Sequence, residues 1–477
     1  MRLASSTAAS PAHMAGLAPG PAPGPAPGLD PRPDPRLDPR LDPGTRAGGA
    51  AGKSRLTKSL GWRFAWGWWR RASAMPWRRA ASTPAVGGRA ARGPAVALPA
   101  ASEIDHALLA VSLGLLLFGL VMVYSASVAL PDSPRFSAYK SWHFLLRHAL
   151  AVGVGLMAAA VMLRMPTKVL QRCAGLLFLL GLLLLILVLI PGLGKSVYGA
   201  RRWLSLSVIN LQPSELMKIF VILYVADYTV RKQDYMHHFS KGFLPMGTAV
   251  ALVGLLLLME PDLGAFVVIA AVAMGILFLG GVNGKLFSGL ILIALGTFAL
   301  LIQLSPWRRE RIFAYLDPFE PNNALGKGYQ LTHSLIAFGR GEWLGVGLGG
   351  SVEKLHYLPE AHTDFLLAVV GEELGLLGVA ITIFAFFWLT RRAFQIGRQA
   401  LAMERTYAGL VAQGIALWIG TQAFINMGVN LGLLPTKGLT LPLMSYGGTG
   451  ILVNCTAIGI LLCIDRENRL AMRGGKV

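Results

Sequence analysis

Apolar and polar positions in this chain alternate on the scale of whole segments rather than single residues. From His106 onward, ten apolar runs of roughly spanning length follow one another, near 106–130, 143–163, 169–190, 212–229, 243–260, 263–281, 286–304, 364–389, 406–427 and 443–463. A segment inside a bilayer must satisfy its own backbone hydrogen bonds, which leaves helices or closed barrels. Continuous runs such as GLLFLLGLLLLILVLI lack the in–out alternation of barrel strands. The pattern predicts an all-α integral membrane protein of about ten transmembrane helices, with a large outer loop between the seventh and eighth. That loop, 305–363, is nearly sixty residues long and dense in Trp, Phe, Tyr and charge. Loops of that length without evident structure of their own are usually functional or disordered, so the chemistry is sought there.

Composition agrees with the pattern. Of 477 residues, 54% are hydrophobic and 14% charged, which suits a chain whose apolar surface is covered by lipid rather than one or two soluble domains. Cys173, Cys455 and Cys463 all fall in apolar runs with no CxxC or His-rich spacing, so neither a disulfide framework nor a zinc site is indicated.

The net charge of +20 would suggest nucleic acid in a soluble protein. Here the Lys and Arg residues gather in short connections and in the first hundred residues, and no nucleic-acid-binding motif accompanies them, so membrane topology explains the charge and no nucleic-acid partner is expected. If the N-terminus is cytoplasmic, the inside connections and C-terminal tail hold fifteen Lys and Arg and the short outside connections seven, which places both termini inside. Asp317 then lies on the outer side.

Residues 1–105 are set apart from the body, 106–463, and from a short C-terminal tail, 464–477. The N-terminal stretch is low-complexity, with PAPGPAPG, then DPRPDPRLDPRLDPG, then eleven basic and no acidic residues between Arg46 and Arg92. Such a segment is expected to be a disordered cytoplasmic tail, since it cannot bury enough apolar surface to order itself. Its run SRLTKSLGWRFAWGWWRRASAMPWRR interleaves five Trp with basic residues and could lie on an anionic membrane surface. No continuous apolar stretch precedes a small-residue cleavage site, so it does not read as a signal peptide.

Ionisable groups within the apolar runs are costly unless paired or hydrated, and each is a functional candidate. Glu215 and Lys218 in LQPSELMKIF stand one helical turn apart and pair, either for function or only to fix packing. Glu372 and Glu373 follow Asp364 by eight and nine residues, about 12–14 Å along a helix, so at least one faces the bundle interior. They suit a packing or hinge role as well as catalysis. Glu260 and Asp262 flank Pro261 in what reads as a tight outer turn. Asp317 follows the seventh run and is preceded by Arg308, Arg309 and Arg311, cations that favour a carboxylate able to accept a proton. An Asp-Pro pair equally suits a turn. Six basic residues in the outer loop, Arg308, Arg309, Arg311, Lys327, Arg340 and Lys354, run against the usual bias and ask for an anionic partner such as a phosphate-bearing ligand. GVGLGG at 345–350 lacks the strand–helix context of a nucleotide fingerprint, and the histidines have no ligand spacing.

Several of these segments, in order, carry a resemblance. GARRWL (199–204), LQPSELMK (211–218), EPDLGA (260–265), YLDPF with GYQLTHSLIAFGRG (315–341), YLPEAHTDF (357–365), GEELGLLG (371–378) and LLPTKGLTLPLMSYGGTG (433–450) resemble the shape, elongation, division and sporulation (SEDS) family, the FtsW/RodA/SpoVE membrane glycosyltransferases. The likeness covers about 106–470, and PTKGLTLPLMSYGG with LHYLPEAHTDF looks more like the division-type members than the elongation-type RodA. It implies a peptidoglycan glycosyltransferase that polymerises lipid II, the undecaprenyl-pyrophosphate-linked disaccharide pentapeptide, at the outer face of the cytoplasmic membrane at the division septum. It also implies a class B penicillin-binding protein, the FtsI-type transpeptidase, as partner, with other divisome proteins.

By the same resemblance the essential loop carboxylate falls on Asp317, the GARRW arginine on Arg202, the PEAHTDF glutamate on Glu360, the helix ion pair on Glu215 and Lys218, and the PTKG lysine on Lys437. Such a reaction needs a base at the acceptor hydroxyl, for which Asp317 is the candidate. It also needs positive charge at the departing diphosphate, for which Arg202, Lys437, Arg308 and Arg311 are candidates. A β-linked product from an α-linked donor requires inversion, so one displacement with one base is adequate. No cofactor is required; Mg2+ could assist the diphosphate, although the sequence shows no dedicated cage. A lipid II flippase is the alternative reading of ten helices with intramembrane charge, and an elongation polymerase the alternative within the family.

Overall fold

The computed structural model describes residues 104–475 apart from 135, 198, 207 and 208. The expected N-terminal tail therefore lies, up to residue 103, outside the described residues, as do Lys476 and the side chain of Arg308.

Each of the ten apolar runs is a helix. In chain order these are α1 (His106–Ser127), α2 (His143–Arg164), α3 (Thr167–Leu189), α4 (Pro213–Arg231), α5 (Leu244–Met259), α6 (Leu263–Leu279) and α7 (Gly284–Gln303), then, beyond the outer segment, α11 (Leu366–Ala402), α12 (Thr406–Asn430) and α13 (Gly448–Met472). Seven stretches are long and apolar enough to cross a membrane: α1, α2, α3, α5 with its preceding turn, α11, α12 and α13. Two more apolar helices, at α6 and in α7, are shorter, and α4 carries Glu215, Lys218, Asp227 and Arg231 among its apolar residues. The chain is thus an integral membrane protein.

Helix starts follow ordinary capping chemistry. Asp105 accepts from the amides of Ala107 and Leu108 at the start of α1, and Asp262 from that of Ala265 at the start of α6. The most extensive helix packing places α13 against α2, where a Cβ on Gly459 would stand 2.6 Å from the carbonyl oxygen of Ala159. Small residues let backbones approach in this way where lipid offers no hydrophobic drive between helices.

Two features add detail to this helical architecture. First, the body is not purely helical: β1 (Gly194–Val197), β2 (Ala200–Leu206) and β3 (Ile209–Leu211) form a small antiparallel sheet between α3 and α4, in register Lys195 to Trp203 and Ser205 to Asn210. Gly199, at φ 78, makes the turn that reverses the chain between β1 and β2. Second, the segment 305–363 is not one long loop. It contains α8 (Pro306–Leu316), the single turn α9 (Pro321–Ala324) and α10 (Tyr329–Gly341). Charge on α8, and on α10 polar residues such as Gln330, Thr332, His333 and Ser334 among the apolar ones, disguised them as loop.

Candidate functional site

The connections 128–142, 190–212, 260–262, 304–365 and 431–447 all lie at one end of the bundle, and there the ionisable groups gather. Two asparagines on α12 assemble the centre. Asn426 Nδ2 donates to the carbonyl of Asp364 at 2.8 Å and to that of Leu439 at 2.6 Å, while Asn430 Nδ2 donates to the same Asp364 carbonyl at 2.9 Å. The segment bearing Glu360 and Asp364 is thereby pinned to the one bearing Lys437. The amide of Tyr446 adds a bond to the carbonyl of His362. Gly438 faces Asp364 so closely that a Cβ there would lie 3.0 Å from Oδ2.

Glu360 occupies the left-handed region at φ 58, a conformation uncommon outside glycine. It is held by its carbonyl, which accepts from the amides of Thr363 and Phe365, and by its carboxylate, which accepts from Thr363 Oγ1 at 2.8 Å. Asp364 keeps part of its surface open, but burial of the carboxyl, then the neighbouring Glu360, push it up to about 7 against the pull of Arg202.

Arg202 reaches across from β2, donating Nε to the carbonyl of Glu260 at 3.1 Å and Nη2 to the carbonyl of Pro261. The guanidinium is thus oriented by the tight turn between α5 and α6. Glu260 itself is fully buried, and neither carboxyl oxygen has a hydrogen-bond partner among the described residues. Burial, then Asp262, push it up to about 8, with Arg202 opposing. Asp262 accepts from Ser214 Oγ at 3.0 Å, tying the turn to the start of α4. Arg202, Glu260, Asp262, Glu360 and Asp364 form one electrostatic group in which two carboxyls are held toward their neutral form.

One turn below, Lys218 Nζ bonds Glu215 Oε1 at 2.6 Å and Gln422 Oε1 at 2.9 Å, with the Trp418 ring 5.8 Å away. The expected pair is present and almost fully buried. Gln422 passes the connection on, donating to the carbonyl of Thr440 in the Lys437 segment.

Asp317 stands apart in character. It ends α8, is exposed, and its carboxylate has no hydrogen-bond or ion-pair partner among the described residues. Its backbone is well fixed: the carbonyl accepts from Asn323 Nδ2 at 2.9 Å, and Pro318 next to it accepts from Thr332 Oγ1 on α10. Tyr315 Oη donates to the carbonyl of Leu433 at 2.9 Å, joining α8 to the loop that carries Lys437. Arg311 and Arg309 sit six and eight residues back along that helix, and neither makes an ion pair with Asp317.

The expectation that all six outer-segment cations seek an external anion is corrected. Lys354 pairs with Glu373 at 2.7 Å, Arg340 with Glu372 at 2.5 Å, and Lys327 with Glu310. Glu373 also accepts from Ser125 on α1, and Glu372 from Ser351 Oγ and the amides of Val352 and Glu353. Both carboxylates are therefore fastenings that hold the outer segment to α11. Sequence reasoning passed over Asp364, Asn426 and Asn430. The signal available was three polar residues at the ends of two apolar runs, with Asn426 and Asn430 one turn apart on a single helix face. Among the described residues no group of three or more His, Cys, Asp or Glu has the closeness to hold a metal ion.

Comparisons with known proteins agree with this arrangement. The cell cycle protein family that groups FtsW, RodA and SpoVE matches residues 105–470. A probable peptidoglycan glycosyltransferase FtsW of Burkholderia thailandensis is 62% identical over 407 residues, covering 84% of this chain and 88% of that protein. The FtsW of Polynucleobacter necessarius described in the same words is 60% identical, covering 79% of this chain and 89% of its own. Among solved structures, a chain of a peptidoglycan synthase complex that coordinates polymerization and crosslinking superposes with a TM-score of 0.62 at 28% identity, covering 76% of this chain and 98% of that one. The rod shape determining protein RodA of Thermus thermophilus superposes with a TM-score of 0.54 at 26% identity, covering 76% and 97%. A match across nearly the whole helical body, with the motifs converging at one end of it, means that this chain belongs to the FtsW/RodA/SpoVE (SEDS) family, on its FtsW side.

Proposed function

We propose that the protein is a peptidoglycan glycosyltransferase that polymerises lipid II at the outer face of the cytoplasmic membrane during septal division. In this reading all ten apolar helices cross, both termini are cytoplasmic, and a class B penicillin-binding protein works beside it in the divisome. The observation that carries it is an exposed carboxylate, Asp317, without a partner among the described residues, its backbone held by Asn323 and its helix tied through Tyr315 to the loop that bears Lys437. Its relatives, probable peptidoglycan glycosyltransferases, supply the reaction class.

Asp317 takes the proton of the acceptor 4-hydroxyl as that oxygen attacks the donor sugar. The bond to the undecaprenyl diphosphate breaks on the opposite side, with inversion. Arg202, oriented by the carbonyls of Glu260 and Pro261, and Lys437 supply positive charge to the departing diphosphate, and Arg308 and Arg311, preceding Asp317 in the sequence, are assigned a supporting role there. Fixed cations stabilise this step most, because charge develops on the diphosphate as the bond breaks. The scheme is the same whether or not Mg2+ accompanies the diphosphate. Glu215 with Lys218, Glu372 and Glu373 hold the scaffold.

The test is polymerisation of fluorescent lipid II in vesicles containing the protein and its transpeptidase. Asp317→Asn is expected to abolish glycan ladders while folding and complex formation persist. Full polymer yield from that variant would reject the base assignment, and transbilayer movement of lipid II without polymer from the unaltered protein would favour a flippase instead.

A further inference from the structure

At the other end of the bundle, where α1 begins and α13 ends, a cavity of about 310 Å3 is lined by Asp105, Ala107, Trp388, Arg391, Arg392 and Gln395. Its acidic and one of its basic side chains are already committed. Arg392 donates to Asp105 at 2.5 Å and to Gln395 at 3.2 Å, and stands 3.8 Å from Asp465. Asp105 accepts in addition from the amides of Ala107 and Leu108. Arg391 differs: it is exposed and, among the described residues, has no hydrogen-bond or ion-pair partner. Arg392 is matched by Asp105 and Asp465, so among the described residues Arg391 is the lining guanidinium without a carboxylate partner.

The depth of this cavity follows from α11. The apolar run of that helix ends at Leu389, Trp388 precedes its end, and the cations follow at once, which is the order of residues at a membrane–water interface. Ile381 and Phe384, 59% and 66% exposed, share the face of Trp388 and Arg391 at three- and four-residue spacing, so an uncovered apolar strip runs from the hydrocarbon depth into the cavity.

We propose that this cavity binds the phosphate of a membrane phospholipid with a net negative headgroup, held by Arg391, with Trp388 at the glycerol level and the strip along an acyl chain. One phosphodiester charge matches the one unpaired guanidinium. An ammonium headgroup finds no unpaired carboxylate in the lining, since Asp105 already accepts from Arg392 and two backbone amides. A free phosphate would leave the apolar strip bare.

Full-length protein in uncharged micelles is titrated with dihexanoyl phosphatidylglycerol, dihexanoyl phosphatidylcholine or glycerol phosphate, and the melting midpoint is followed against concentration. Phosphatidylglycerol alone is expected to raise it. Arg391→Gln is expected to weaken the apparent affinity about fivefold, the effect of one basic residue at an anionic surface, while Arg398→Gln, an exposed cation one to two turns on, leaves it unchanged. Equal responses to phosphatidylcholine or to glycerol phosphate overturn the proposal. So do no response to phosphatidylglycerol, an unaffected Arg391→Gln, or an equal loss in Arg398→Gln.

Discussion

Tyr315 Oη donates to the carbonyl of Leu433 at 2.9 Å across 118 residues of sequence, and this bond joins the helix ending in Asp317 to the loop bearing Lys437. The two groups assigned to the proton and to the diphosphate are thus set by one fastening. A neutral hydrogen bond contributes about 1 kcal/mol net. Tyr315→Phe should therefore lower lipid II polymerisation by up to about fivefold while leaving the melting midpoint nearly unchanged, because the bond is exposed. Glycan-ladder rates set against thermal melting separate the two effects.

Lys354 and Glu373 are both almost fully buried, and Ser125 completes their contacts. Removing one partner of such a pair leaves a stranded charge, at a cost of about 3–5 kcal/mol. Lys354→Met should lower the free energy of unfolding by that order, read from denaturation curves, and the double variant Lys354→Met with Glu373→Gln should recover much of it. A double variant no more stable than the single would show that the pair is not the source.

Gly375 interrupts α11 at φ 63, and a Cβ there would lie 2.4 Å from the amide nitrogen of Gly345. The kink lets residues 341–347 lie against α11, where the amides of Val346 and Gly347 bond the carbonyls of Glu372 and Glu373. Gly375→Ala combines backbone strain of about 1–3 kcal/mol with that collision. The expected outcome is a sharp fall in the yield of monodisperse protein, read by size-exclusion chromatography.

Glu260 makes a pH signature. Its folded-state value, pushed up to about 8 from an ordinary 4.5, means that the folded protein holds a proton the unfolded chain releases. Stability is full below about pH 4.5 and falls as pH rises toward 8. Asp364, pushed up to about 7, acts in the same sense over pH 4–7. Glu260→Gln keeps the neutral shape and should flatten the decline between pH 5 and 8. Denaturation midpoints across that range check it, and an unflattened decline would remove Glu260 as its source.

The segment lengths and their apolar character fixed the helical body from sequence alone, because a bilayer imposes one condition, a run of about 20 apolar residues per helix. The Glu215–Lys218 pair was equally legible, since one turn of a helix brings those positions together whatever surrounds them. The tertiary structure decided the rest. That Lys354 and Arg340 answer Glu373 and Glu372 rather than an external anion depends on how the outer segment folds back on α11. That Arg202 meets the Glu260 turn, and that Asn426 and Asn430 bind the Asp364 carbonyl, are relations between segments 58 to 66 residues apart. Local periodicity carries no trace of such contacts; they exist only once helices pack and their connecting segments share one end of the bundle.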